Sequence, residues 1–321
     1  MTGTRILGVI GAITLAITIS TPSHAAKVTS YHIGNSYTWD SGPSGLPETA
    51  QAVGVEHASG WHIIGSTTLP RIWEVPDGGD WDDVYGTHTD ALPNHVWTAV
   101  TLQLYPKQEQ ATLQTDAQAV RNFIDLTRSN PANHDTRFFI YQAWPGAGPG
   151  STIDYSDYWL TQVPNVPEQR MRYHRSYFSH IIENLRAAQP DDEPPVLIIP
   201  VGEVLYELDQ LIKAGRFPWV ASISELYRDE YHMSYGGGRT IAHWTTFTTL
   251  HGISPVGLPY DGTNPILLDD AARRRVQQVI WSTVTSLPHS GVLPESGTAV
   301  GLTLLSAVLV VAGGRGRLRA R

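Results

Sequence analysis

The sequence predicts an α/β fold: a three-layer sandwich with helices on both sides of a mostly parallel five-stranded sheet. Three observations carry that prediction. From Lys27 to about Pro288, short runs rich in β-branched and aromatic residues alternate with longer amphipathic ones. One short run, PPVLIIPVG at 194–202, is almost continuously apolar, as a strand covered on both faces should be. The 321 residues include no cysteine, so neither disulfides nor thiolate metal sites stand in for a core.

The elements follow in order. KVTSYHIG (27–34) reads as the first strand, and PETAQAVG (47–54) as a short helix stopped by Gly54. HASGWHIIG (57–65) and HVWTAVTLQLY (95–105) are the second and third strands. QATLQTDAQAVRNFIDLTRS (110–129) is a helix with apolar positions at Leu113, Ala117, Val120, Ile124 and Leu126. DTRFFIYQAW (135–144) is the fourth strand. A long helix is expected over 167–189, with Glu168 and Gln169 near its start, followed by the fifth strand at 194–202. Helices over 238–252 and 268–287 close the domain. EVPDGGDWDDVYGTH (74–88) and AWPGAGPGST (143–152) read as surface loops able to wall a site. The acidic run Asp80, Asp82 and Asp83 reads as a solvated loop, with calcium as the minor alternative.

Both ends carry processing signals. Residues 1–25 have a positive Arg5, an apolar run from Ile6 to Ile19 and small residues before Ala25, the pattern of a signal peptide. Residues 291–321 combine Pro294-Glu295, an apolar stretch from Thr298 to Ala312, and Arg315, Arg317, Arg319 and Arg321. Such an end is expected to stop transfer, with the arginines on the cytoplasmic side. The domain between, 26–290, is then exported. Loss of Arg5, the four tail arginines and Glu295 would move the formal net charge from −8 to about −12. An acidic domain excludes nucleic acid as a partner. The 10 Trp and 14 Tyr are read as core residues first and as exposed binding aromatics second.

Ser36 lies just past the first strand in Gly34-Asn35-Ser36, where Gly34 permits a tight bend. Two readings stand: a turn or helix cap, and a nucleophile held beyond the end of a sheet. Late in the chain, Asp229 precedes His232 by three residues, a spacing that lets the carboxylate accept the imidazole N–H and leaves Nε2 free to take a proton. A surface salt link is the plainer reading of that pair. His32, His62, His243 and His251 have no persuasive metal spacing; His62 is read as structural. Gly236 to Gly238 lack the residues of a phosphate loop. No cofactor or metal is called for.

Taken together, these features resemble the SGNH (GDSL-like) hydrolase superfamily. IGNSYT is similar to its first block, with Ser36 as nucleophile. DEYH followed by MSYGG is similar to its last, with Asp229 and His232 completing the triad. The likeness runs from Val28 to roughly Leu287. It implies an SGNH, flavodoxin-like sheet and an oxyanion hole built from the N–H of Ser36, a glycine of the second block, and a third-block amide. Gly65 is the better glycine and Gly60 the poorer. Gln103 stands where the superfamily carries Asn, either donating the same bond on a longer arm or only capping the strand. Asn35, Trp61 and Trp144 are candidates to line the substrate, with core packing the equal alternative for the tryptophans.

The resemblance implies a serine esterase acting through an acyl-enzyme on small acyl esters, O-acetyl groups foremost, in small molecules or on a polysaccharide. Two rivals remain: a catalytically inactive surface carbohydrate-binding or matrix protein on the same fold, and a lipase or thioesterase. The C-terminal end resembles the PEP-CTERM signal read by exosortases, and Leu293 to Gly297 resembles the LPxTG signal of sortases. Signal peptidase, an exosortase-like or sortase-like enzyme, and the membrane reached through the C-terminal helix are the further partners implied. The expected location is the membrane or cell surface.

Overall fold

The computed structural model describes residues 27–105, 111–168 and 173–293. Six strands form one sheet: β1 (Val28–Gly34), β2 (His57–Ile63), β3 (Asp80–Trp81), β4 (Ala99–Gln103), β5 (Arg137–Tyr141) and β6 (Leu197–Ile199). Their order is β3-β2-β1-β4-β5-β6. All neighbours pair in parallel except β2 and β3. Among the described residues the count is therefore six, not the expected five. The extra strand comes from a segment read as loop. Two residues are too few to show an alternation, and β3 exists only because Trp81 and Asp80 find His62 and Ile63 across the sheet edge. Asp82, in the acidic run, accepts the N–H groups of Val84 and Tyr85 and shapes the turn after β3.

The central strands are buried along nearly their whole length, because helices cover the sheet on either side. Tyr31, Ile33, Val100, Phe138, Phe139 and Ile140 are fully buried. Burial of each such side chain stabilises the fold by about 1.5–3 kcal/mol before entropy is counted. The helices are α1 (Ser36–Asp40), α2 (Leu46–Ala52), α3 (Leu69–Glu74), α4 (His88–Asn94), α5 (Leu113–Arg128), α6 (Tyr155–Trp159), α7 (Arg175–Ala187), α8 (Val201–Lys213), α9 (Gly238–His251), α10 (Pro265–Leu268) and α11 (Asp270–Ser286). Helices α3, α4, α5 and α7 pack together as one group, and α2, α8, α9 and α11 as another. That grouping is compatible with three layers.

Three local expectations change. The helix expected from Pro167 begins at Arg175, because the carbonyl of Pro167 instead accepts the N–H of Gln114 at the start of α5. Helix α8 follows the fifth parallel strand directly. The apolar run that marks β6 continues into the helix through Pro200, which hid the boundary. In α5, Phe123 joins the buried stripe while Leu126 is only half-buried. The expected leader, and the expected C-terminal segment from 294 onward, lie outside the described residues. Among those described, no helix is long and apolar enough to cross a membrane.

The register places the site. Gly34 stands opposite Ile63, Ile33 opposite Leu102, Gln103 opposite Tyr141, and Tyr141 opposite Ile199. The five parallel strands thus end along one edge. Counting them alone gives the order 2-1-3-4-5, in which ligand crevices form where the winding reverses, between the first and third strands. Here that point lies between β1 and β4.

Candidate active site

Gly34, Asn35 and Ser36 make the turn from β1 into α1, and each residue type has a physical reason. A Cβ on Gly34 would collide with Thr38 Oγ1 and lie 2.6 Å from Gln103 Cβ, so nothing larger than glycine fits between β1 and β4 there. Asn35 is the N-cap: its side-chain oxygen accepts the N–H of Tyr37 at 3.1 Å. Its amide nitrogen donates to the carbonyl of Thr67 at 3.0 Å, and its own N–H donates to Gln103 Oε1 at 2.8 Å. Asn35 is fully buried and ties the turn to the loop after β2 and to the end of β4. Ser36 follows as the first helical residue.

Ser36 Oγ lies 2.9 Å from His232 Nε2, across 196 residues of chain. Nδ1 of His232 lies 2.9 Å from both carboxylate oxygens of Asp229. The carboxylate only accepts, so Nδ1 carries the proton and Nε2 is free to accept from the serine O–H. Asp229 also accepts the N–H groups of His232 at 2.8 Å and Tyr231 at 2.9 Å. Its partial burial raises its pKa, but these donors and the imidazole outweigh that, and the net shift is downward. The triad is open to solvent: the Asp229 side chain is 49% exposed and that of His232 28%.

Two features hold the distant His232 segment against α1. Asp40, at the end of α1, is fully buried. It accepts the N–H of Met233 at 2.7 Å, Arg239 Nε at 2.7 Å and Arg228 at 3.0 Å. A buried carboxylate so satisfied fixes Met233, the residue following His232. On the other side, the 143–152 loop brings Gly146 and Gly148 under the segment. A Cβ on Gly148 would strike the backbone of Asp229, and one on Gly146 would lie 2.6 Å from the Tyr231 ring. The N–H of Gly148 donates to the carbonyl of Glu230 at 3.1 Å, and Trp144 Nε1 to that of Tyr231 at 2.8 Å.

Ser36, Asp229 and His232 are brought together. Gly65 lies in the loop after β2, exposed, with open space where a Cβ would stand. The Asn35–Thr67 bond ties that loop to the serine turn. Gly60 is within β2, against the rings of Tyr85 and Tyr31. Gln103 departs from its expected place in an oxyanion hole. Its carbonyl end must face the N–H of Asn35, and its amide nitrogen donates to the carbonyl of Leu104. At 1% exposure the amide has no outward face, so Gln103 positions the serine turn instead. Asn35 and Trp144 do not line a substrate surface either; both are fully buried. Trp144 packs edge-on against Tyr37, with ring centroids 4.9 Å apart. Trp61 is half-buried beside Trp39, centroids 5.7 Å apart.

Sequence reasoning missed Asp40, Gly146 and Gly148. The signal for Asp40 was its place four residues after Ser36, together with Arg228 and Arg239 flanking the Asp-x-x-His segment. The glycines had none beyond their density.

Fold and site together define the class: a doubly wound α/β protein with a Ser-His-Asp constellation at the carboxyl edge of its parallel strands. No family profile matches the chain, and no curated protein matches it either. Among solved structures, the chain is similar to a DUF4886 family protein from Bacteroides uniformis. The two are 17% identical with a TM-score of 0.53, over 81% of this chain and 95% of that one. At that identity the likeness speaks for the fold alone.

Proposed function

We propose that the protein is a serine esterase of SGNH type that cleaves small acyl esters through an acyl-enzyme. The observation that carries this reading is the pair of contacts through one imidazole ring, Ser36 Oγ to His232 Nε2 at 2.9 Å and His232 Nδ1 to Asp229 at 2.9 Å. Ser36 Oγ attacks the ester carbonyl as His232 Nε2 takes its proton. In this reading the N–H groups of Ser36 and Gly65 stabilise the developing oxyanion. His232 then gives the proton to the leaving alcohol, and the C–O bond breaks. Water, deprotonated by the same nitrogen, cleaves the acyl-serine and frees the acid. Asp229 keeps the imidazole in the required tautomer and stabilises its charged form. Export through the expected leader, with retention at the membrane or cell surface through the expected C-terminal segment, belongs to the same proposal.

The test is hydrolysis of p-nitrophenyl acetate and butyrate by the protein and by Ser36→Ala. Loss of a triad serine lowers turnover on the order of 10⁴–10⁶-fold. Equal trace rates from two folded proteins would remove the esterase reading and favour the inactive binding protein. A strong preference for the longer chain would move the reading toward a lipase.

A further inference from the structure

A cavity of about 210 Å³ lies beside β6, the last strand of the sheet among the described residues. Helix α7 faces it with Arg175, Phe178, Ser179 and Ile182, positions i, i+3, i+4 and i+7 of one helical stripe. Ile198 of β6 and Leu287, after α11, extend the apolar wall. None of Ser36, Asp229 and His232 lines it, so it is separate from the candidate active site. Gln142, the residue after β5, reaches it from the end of the sheet. Gln142 is only 4% exposed. The N–H of Glu203 donates to its Oε1 at 3.1 Å, which fixes the orientation of the amide. Its Nε2 donates to nothing among the described residues. A buried donor without a partner is costly, and an acceptor brought in by a ligand removes that cost.

We propose that this cavity is a second small-molecule site, for an uncharged, mostly apolar molecule with one carbonyl oxygen that accepts from Gln142 Nε2. The proposal does not depend on the esterase reading. Size sets the scale: a dry cavity of roughly 150 Å³ takes a benzene ring, so this one has room for a ring with a short carbonyl substituent. A hydrocarbon of the same shape would leave Nε2 unpaired. Gln142 also roots the 143–152 loop. Its backbone N–H donates to the carbonyl of Ile199 at 3.0 Å, and its carbonyl accepts the N–H of Gly202 at 3.1 Å. The ligand therefore touches the base of the loop that supports the Asp229–His232 segment.

Charge decides against an anion. The charged groups on the wall, Arg175 and Glu203, are paired with each other: Arg175 Nε donates to Glu203 Oε2 at 2.9 Å, and its Nη2 to the other oxygen. Trp159 Nε1 donates to the same carboxylate at 2.9 Å. His289, also on the wall, has Nδ1 2.7 Å from Arg186 Nη1. A guanidinium only donates, so the imidazole accepts there. Burial and that cation both lower the pKa of His289, which keeps it neutral. A carboxylate ligand would thus enter beside the Glu203 carboxylate with the nearest cation already engaged.

The experiment titrates the full protein calorimetrically with acetophenone, ethylbenzene and benzoate, which share a ring and differ in acceptor and charge. Acetophenone should bind roughly tenfold more tightly than either of the others. Gln142→Leu should erase its advantage over ethylbenzene while ethylbenzene itself binds as before. Ser179→Trp fills the cavity from an exposed position and spares Gln142, and it should weaken acetophenone by roughly tenfold or more. If Gln142→Leu does not fold, Ser179→Trp carries the test alone. Ser36→Ala should bind acetophenone as the unaltered protein does. Absence of acetophenone binding, equal or tighter binding of ethylbenzene or benzoate, binding undiminished in Ser179→Trp, or binding lost in Ser36→Ala would each overturn the proposal.

Discussion

The same chemical pair, serine and histidine, occurs at two sites, one at the surface and one buried. At the sheet edge, Ser36 meets His232 at 2.9 Å. Inside the sheet layer, Ser30 Oγ meets His32 Nε2 at 2.8 Å and His57 Nε2 at 2.7 Å. By distance alone the inner serine is the better served. It is not a candidate nucleophile, for three reasons. Ser30 lies mid-strand and is fully buried, so no carbonyl reaches it. Its histidines continue into neutral partners, Thr101 for His32 and His251 for His57, with no carboxylate to stabilise an imidazolium. Burial, reinforced by the neighbouring histidines, pushes the pKa of His32 down to about 3 and that of His57 to about 2. A serine–histidine contact becomes a catalytic arrangement only where the backbone leaves the sheet, water and substrate enter, and a carboxylate stands behind the ring.

The largest test of this contrast is a matched pair of substitutions. His232→Ala should lower ester turnover by roughly 10⁴–10⁶-fold with little change in stability. Ser30→Ala should leave turnover within a few-fold. It should cost about 1–3 kcal/mol in denaturant unfolding, because two buried imidazole nitrogens lose their shared partner. Comparable losses of turnover in both variants would break the distinction.

Next in size is Asp40→Ala, expected to cost about 3–5 kcal/mol by leaving Arg228 and Arg239 without their buried carboxylate, and to lower turnover because Met233 loses its anchor. A variant of unchanged stability would deny Asp40 that role. Gln103→Met keeps the length of the side chain but removes the acceptor for the N–H of Asn35. Turnover should fall by roughly 10–100-fold through a misplaced Ser36, with KM little changed. A wild-type rate would show that the turn holds itself.

The inner histidines also set a dependence on pH. Their folded-state pKa values lie below the ordinary 6.5, with His251 at about 4, so the unfolded chain binds the extra protons. Stability is full above about 6.5. It falls as the pH drops from there toward about 4 for His251, 3 for His32 and 2 for His57, at about 1.4 kcal/mol per pH unit for each histidine. Asp116 opposes this. Burial raises its pKa to about 7, so its contribution falls as the pH rises from about 4 to 7. Three histidines outweigh one carboxyl, and urea midpoints should decline between pH 6.5 and 5. A flat profile would sink the neutral-histidine account.

Much of this was legible in the sequence because it is local. Strand runs ending in Gly34 and Gln103, the amphipathic stripe of α5 and the Asp229–His232 spacing are patterns within a few residues, governed by backbone period and side-chain reach. The α/β class and the five parallel strands follow from them, while the three residues of the candidate triad came from the resemblance of the Gly-Asn-Ser and Asp-x-x-His blocks to a known superfamily. Only the tertiary structure decided what those residues touch. Gln103 turned inward because a buried N–H on Asn35 needed an acceptor. Trp144 became a pillar under Tyr231, and Asp40 became the lock between chain segments nearly 200 residues apart. β3 and the helix start at Arg175 depend on partners across the sheet and from α5. Periodicity reports which face of an element is apolar. It carries no information about which distant polar group will arrive to satisfy a buried one, and that is settled when the chain closes on itself.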